Sequence, residues 1–476
     1  MTVSPSTPGA LDLYRAIVAA GERVGVRYRL GTVTAVTLIV AYFLLRTADA
    51  DGRLMAVWLI ASALVTVVSP AVGLIVLAAI APFNEGVLLT RDIGSKSIFA
   101  LVLLVGVGLK WLVDSSARSR PSAPVVLAAS LLVGSGLGLA QTRLRWGAEF
   151  TELAAQIWIT GVATMLVVFV VSVWVARRGD LRPLAVALIA TTVTGLISLG
   201  DYWSDAQIRE SLIGWTVVGP FNPGRLTGVI RSPTSTAALV MLPATVFLVV
   251  AMLRGLDPRA RVGAAVLAVP LLVAAYFTYN RAVFIALYVL AVLVGWRIRR
   301  WLGVTLLVAG LVLGAAFIPA YVALRGQTLG SSAVPEPGQV LIASDQQRLT
   351  AWGAAARMFL DEPLVGNGYR AYRQLSIAYG DPILNAPHNE WLRFFAEQGA
   401  VVGLIGAAFA VVTTIRLARR PGPLETGILA AFLSLCLAAC FNNVFLFNQV
   451  TIPAMILAGT GVALARRSPD PAGADG

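Results

Sequence analysis

The stretch TSTAALVMLPATVFLVVAML, Thr234 to Leu253, decides the fold class. It carries no charged residue, and its length is close to the roughly 20 apolar residues that a membrane-spanning helix needs. An isolated strand of this composition would leave its backbone unpaired in lipid, so the segment reads as a helix. Ser97 to Val113, Gln156 to Val175, Gly303 to Pro319 and Val401 to Leu417 repeat the pattern. Apolar residues make up 58% of the chain and charged ones 13%, with a mean hydropathy of +0.80, which is more apolar than a soluble core requires. The expected fold is an all-α polytopic membrane protein.

Working outward from that stretch gives fourteen spans, with twelve as the alternative count because several are short. They are about Thr32–Leu45, Leu54–Val67, Ala71–Ala81, Ser97–Val113, Val125–Ala140, Gln156–Val175, Pro183–Leu199, Thr234–Leu253, Val262–Phe277, Ala282–Gly295, Gly303–Pro319, Val401–Leu417, Leu424–Phe441 and Val450–Ala465. The surroundings of Ser69–Pro70 and of Asn280–Arg281 read either as tight turns between spans or as breaks within one. Lys and Arg outnumber Asp and Glu by 37 to 24, but they cluster in short loops, among them Arg177, Arg178 and Arg182, or Arg416, Arg419 and Arg420. The positive-inside rule puts these clusters in the cytoplasm and makes nucleic acid an unneeded partner.

The expected organisation is then a cytoplasmic segment 1–31, N-terminal transmembrane helices over 32–319 with an outer loop 200–233, an extracytoplasmic α-helical loop domain 320–400, transmembrane helices over 401–465, and a cytoplasmic tail 466–476. The N-terminus shows no short apolar core followed by a small-residue cleavage site, so no removable signal peptide is expected. Within the outer domain, Ser344 and Gln347 form a capping box, followed by an apolar face of Leu349, Trp352, Ala356, Phe359 and Leu360. A second helix is expected to begin near Pro387, a favoured first-turn residue. Cys436 and Cys440, one helical turn apart, read as packing residues.

His388 is the only histidine and falls at that expected helix start. The positive end of the helix dipole disfavours imidazolium, which suits a general base. Arg225 and Arg231 lie in GPFNPGRLTGVIRSP, and Arg281 stands alone in FTYNRAVFIAL. An arginine at membrane depth faces either a partner, a ligand or the lipid headgroups. Its guanidinium fork matches phosphate oxygens.

The segments RLTAWGAAARMFLDEPLVGNGYRAY, Arg348–Tyr372, and PHNEWLRFFAEQG, Pro387–Gly399, resemble the outer loop of the O-antigen ligase and O-antigen polymerase superfamily. In that family a histidine followed by Asn, Ser or Gln precedes a glycine after nine intervening residues, as His388, Asn389 and Gly399 do. Arg225–Gly228 and the Asn280–Arg281 pair are similar to its two arginine motifs. Two positions depart from the family pattern: Val402, with Gly403 after it, and the Pro233–Thr234 pair. The resemblance implies transfer of a glycan from an undecaprenyl diphosphate carrier to an acceptor hydroxyl of a glycolipid or glycan, without metal or cofactor, at the outer face of a bacterial cytoplasmic membrane. It implies His388 as the base, and Arg225 and Arg281, with Arg231, at the diphosphate. Asn389 orients the imidazole or acceptor, and Tyr279 and Trp391 either contact sugar or lipid or serve in packing.

Three other readings compete with this one. A metal-dependent transferase would use carboxylates such as Asp201, Asp205, Glu210, Asp361 and Glu362. A flippase would show broken helices and ionisable residues near the bilayer midplane, and a non-catalytic scaffold would leave the histidine and arginine set without a role. Ligase and polymerase share donor chemistry and differ in acceptor, so both stay open.

Overall fold

The computed structural model describes residues 25–47, 52–83, 95–113, 121–204, 226–228, 232–252, 256–312, 315, 337–381, 386–419 and 422–465. Every regular element among them is helical. In chain order these are α1 (Gly25–Thr47), α2 (Gly52–Val68), α3 (Pro70–Ile80), α4 (Ser95–Val113), α5 (Ala123–Trp158), α6 (Thr164–Arg177), α7 (Arg182–Trp203), α8 (Pro233–Met252), α9 (Pro258–Phe277) and α10 (Arg281–Ile298). Then follow α11 (Arg300–Val312), α12 (Pro337–Asp361), α13 (Tyr372–Leu375), α14 (Glu390–Ala418), α15 (Pro423–Ala439) and α16 (Asn448–Leu464).

Six helical runs among the described residues, rather than twelve to fourteen, are long and apolar enough to cross a membrane; six shorter apolar helices of 10–17 residues accompany them. The difference has two sources. The expected spans Val125–Ala140 and Gln156–Val175 lie in one 55-residue helical run, which Gly147 breaks with φ 82° and ψ −175° and a π turn at Ile159–Ala163 interrupts again. Several others, such as Pro70–Ile80, are true helices but shorter than a bilayer. Ser69 separates α2 from α3, which pack on each other, so the break there is a turn between two helices.

The centre of the bundle is α6 against α16. Almost every residue of α16 is buried, and its Ala and Gly positions let helices approach closely. At the periphery α1 and α2 expose Leu30, Val33, Leu44, Leu54 and Leu64, the side chains that a lipid environment accommodates. Together these features make a multi-pass membrane protein.

A second, smaller core lies at one end of the bundle. Ala351, Ala354, Ala355 and Met358 of α12 pack with Ala371, Tyr372 and Ala396, and Trp146 of α5 covers them. This corrects two expectations for α12. The helix begins at Pro337, not at Ser344, because proline suits the first turn and Ser or Gln inside a helix costs only tenths of a kcal/mol. Its buried face is the small-residue stripe 351, 354, 355, 358, while Leu349 and Leu360 are exposed. Alanines allow close approach to α14, and leucines there would hold the two helices apart.

Candidate active site

His388 sits in a sharp turn that two neighbours, Trp352 and Asn389, hold. The Trp352 indole Nε1 donates to the Pro387 carbonyl at 2.9 Å. His388 itself adopts the left-handed conformation, φ 50°, which a side-chain-bearing residue keeps only where its surroundings enforce it. Asn389 then caps α14, its Oδ1 accepting from the Leu392 N–H at 3.1 Å. The helix therefore starts at Glu390, later than the expected Pro387, because the His388 backbone cannot join a right-handed helix.

The imidazole is half-buried, and burial is the main force holding it below the ordinary histidine range; the Arg348 cation adds to this and Asp381 opposes it. The helix-dipole argument gave the right direction for a different reason. Asp381 is buried and accepts from the Tyr372 hydroxyl at 2.7 Å. Burial, and then that bond, push the Tyr372 phenol well up, so it remains the donor.

The glycine at the end of the histidine motif also has a structural account. Gly399 interrupts α14 with φ 71° and ψ −178°, and the break seats the 363–368 turn against the helix. Gly368 N donates to Glu397 O at 2.7 Å, and Ala400 N to Pro363 O at 2.7 Å. Asn367 Nδ2 donates to Met358 O at 2.9 Å and to Ala396 O at 3.2 Å. The spacing from His388 to Gly399 is thus the length of helix between the histidine turn and the point where the GNG turn docks.

Residues 264–406 match the sequence profile described as O-Antigen ligase. That segment is similar to the O-antigen ligases. No curated protein matches the chain.

The segment that matches the O-antigen ligase profile contains His388, Asn389, Tyr279, Asn280 and Arg281, carried by two turns, before α10 and before α14. Asn280 caps α10, its Oδ1 accepting from Ala282 N at 3.1 Å, and Arg281 is the first residue of that helix. Tyr279 is buried in the turn before it, left-handed at φ 49°, with its ring 5.8 Å from that of Tyr276. Arg225 and Arg231 lie outside the described residues, but Leu226 N donates to Phe277 O at 2.9 Å, so the backbone of the first arginine motif runs beside the turn that carries the second. The helix α15 links the two regions, packing on α8 and α10 and also on α14.

Trp391 serves packing. Its Nε1 donates to Cys436 O at 3.3 Å and its ring meets Phe445 edge-on. Cys436 and Cys440 are free thiols. Among the carboxylates, Glu362 pairs with Arg145 at 2.9 Å, Asp361 accepts from the Tyr379 hydroxyl at 2.5 Å, and Asp201 is buried in α7. Asp205 and Glu210 lie outside the described residues.

Sequence reasoning passed over Arg348, Asp381, Glu390, Arg393 and Glu397. Glu390 Oε2 accepts from Arg393 Nε at 2.7 Å, and Oε1 accepts from Phe445 N at 3.1 Å. One signal was legible: Glu390, Arg393 and Glu397 share the helical face on which Phe394 and Ala396 are buried, an unusual place for charges. Asp381 gave none, since its role depends on the Tyr372 contact.

Proposed function

We propose that this chain is a metal-independent, inverting glycosyltransferase of the O-antigen ligase type, which moves a glycan from undecaprenyl diphosphate to an acceptor sugar hydroxyl. The observation that carries the reading is His388: the chain's one histidine, inside the O-antigen ligase segment, held in an enforced turn where burial favours the neutral imidazole. A neutral imidazole accepts the proton of the acceptor hydroxyl as that oxygen attacks the anomeric carbon. The new C–O bond forms as the bond to the diphosphate breaks, and the diphosphate leaves with the electron pair. Arg225 and Arg281, with Arg231, bind that group and stabilise its charge, and Asn389 keeps His388 in place. The similarity of residues 264–406 to the O-antigen ligase profile supports the donor class that the resemblance implies.

In this reading 320–400 is the extracytoplasmic domain, the chain spans the bacterial cytoplasmic membrane about 12 to 14 times, and the reaction occurs on the outer side. The basic loops support that orientation. Which acceptor is used decides between ligase and polymerase. The test is transfer by purified protein from a carrier-diphosphate donor in the presence of a chelator, with a glycolipid acceptor or with a second carrier-linked unit. Activity should persist in chelator and be lost in His388→Ala. An equally active His388→Ala protein refutes the base assignment.

A further inference from the structure

The helix that follows His388 carries a charged cluster that the transfer chemistry does not use. Glu390 is 0% exposed, Arg393 4% and Glu397 3%. Glu390 spends one oxygen on Arg393 and the other on the backbone N–H of Phe445, in the turn Val444–Leu446 between α15 and α16. Glu397 accepts from Tyr372 N at 3.4 Å on the other side. The start of α14 is thus tied both to α13 and to the 444–446 turn, and that turn lies outside the segment that matches the O-antigen ligase profile.

Stability does not account for these charges. A buried ion pair carries a desolvation cost that often cancels its attraction, and apolar side chains of similar shape serve as well or better. What a carboxylate at position 390 supplies, and an apolar group does not, is a directed bond to Phe445 N. Glu390 is the first helical residue after the Asn389 cap, so this bond fixes where α14 begins and, through it, the left-handed turn at His388.

We propose that Glu390 is a positioning residue for His388, which it holds through its bond to Phe445 N. The turn Val444–Leu446 is thereby part of the active site without touching substrate. The inference rests on reading His388 as the base, and its test separates the two claims.

Because His388 is the only histidine, the N-carbethoxyimidazole absorbance that diethyl pyrocarbonate produces in the full-length protein, distinct from its lysine, tyrosine and cysteine adducts, reports on it alone and needs no substrate. The groups that face it, Arg348 on α12 and Asp381 in the turn after α13, are left intact. Glu390→Gln and Glu390→Met both remove the charge, but only Gln keeps an acceptor for Phe445 N. Glu390→Met should lower kcat by about 30-fold with KM within about twofold, the scale of a small displacement of a reacting group. Its acylation midpoint should move up in pH as the turn loosens and His388 gains solvent. Glu390→Gln should stay within about threefold of wild type on every measure. Should the Met variant fail to fold, Glu390→Asp keeps the charge but falls one methylene short of Phe445 N, and makes the same comparison.

Met or Asp proteins with the kcat and acylation profile of Glu390→Gln overturn the positioning role. Transfer that survives in His388→Ala overturns the base reading instead, and the acylation profiles then decide the positioning claim alone.

Discussion

Replacing Gly399 by alanine should disrupt the site strongly. Two costs combine. At φ 71° and ψ −178° the backbone occupies a region that is almost restricted to glycine, which costs about 1–3 kcal/mol for any other residue. A Cβ there would also lie 2.6 Å from Gly366 N and closer still to Leu364 O. Both are backbone atoms and cannot rotate aside, so overpacking adds about 1–3 kcal/mol. Gly147 is the matched control: it has nearly the same angles, φ 82° and ψ −175°, but a Cβ there meets nothing within 4 Å. Gly147→Ala should therefore carry only the backbone cost. Denaturation of both variants in the same detergent should find Gly399→Ala the less stable by about 1–3 kcal/mol, with a larger loss of glycan transfer because the GNG turn no longer seats on α14. Equal destabilisation by the two substitutions would refute the argument that the close approach at Leu364 and Gly366 sets the motif glycine.

The remaining predictions concern the histidine turn. Because His388 is held below the ordinary range, its neutral form persists at neutral pH, and kcat/KM should fall only as pH drops through a value below about 6.5. Arg348→Gln removes a cation that disfavours imidazolium, so that acidic limb should shift to higher pH; Asp381→Asn removes an anion and should shift it lower. Limbs that stay fixed in both proteins would show that neither residue acts on the base. Asn389→Ala should cost about 1 kcal/mol of stability through the lost cap, whereas Asn389→Ser, which can still cap, should remain near wild type in a thermal-unfolding comparison. Tyr372→Phe leaves the buried Asp381 without its hydroxyl donor and should destabilise by about 1–3 kcal/mol; an unchanged melting profile would show that the bond contributes nothing.

The candidate residues, though not their roles, were legible one at a time. His388 with Asn389, the glycine at 399 and the Asn280–Arg281 pair lie in a segment that the family profile independently matches. The reason for the spacing was not legible, because it depends on a turn at 363–368 docking on a helix more than twenty residues further along the chain. The helix start at Glu390 was likewise missed, since a left-handed histidine leaves no sign in composition. The span count was legible only in part: six described helical runs are long and apolar enough to cross a membrane and six shorter apolar helices accompany them, because hydropathy measures how apolar a run is and not where its helix begins and ends.

The sequence by itself determined that the chain is helical and embedded in lipid, because runs such as Thr234–Leu253 have no other way to satisfy their backbone. It also determined which imidazole is available, because there is only one. Tertiary structure alone decided that burial and Arg348 hold that imidazole below the ordinary histidine range, and that Glu390 reaches Phe445. Charge and desolvation act through distance in space, and residues 348, 381, 390 and 445 become neighbours only when the helices pack.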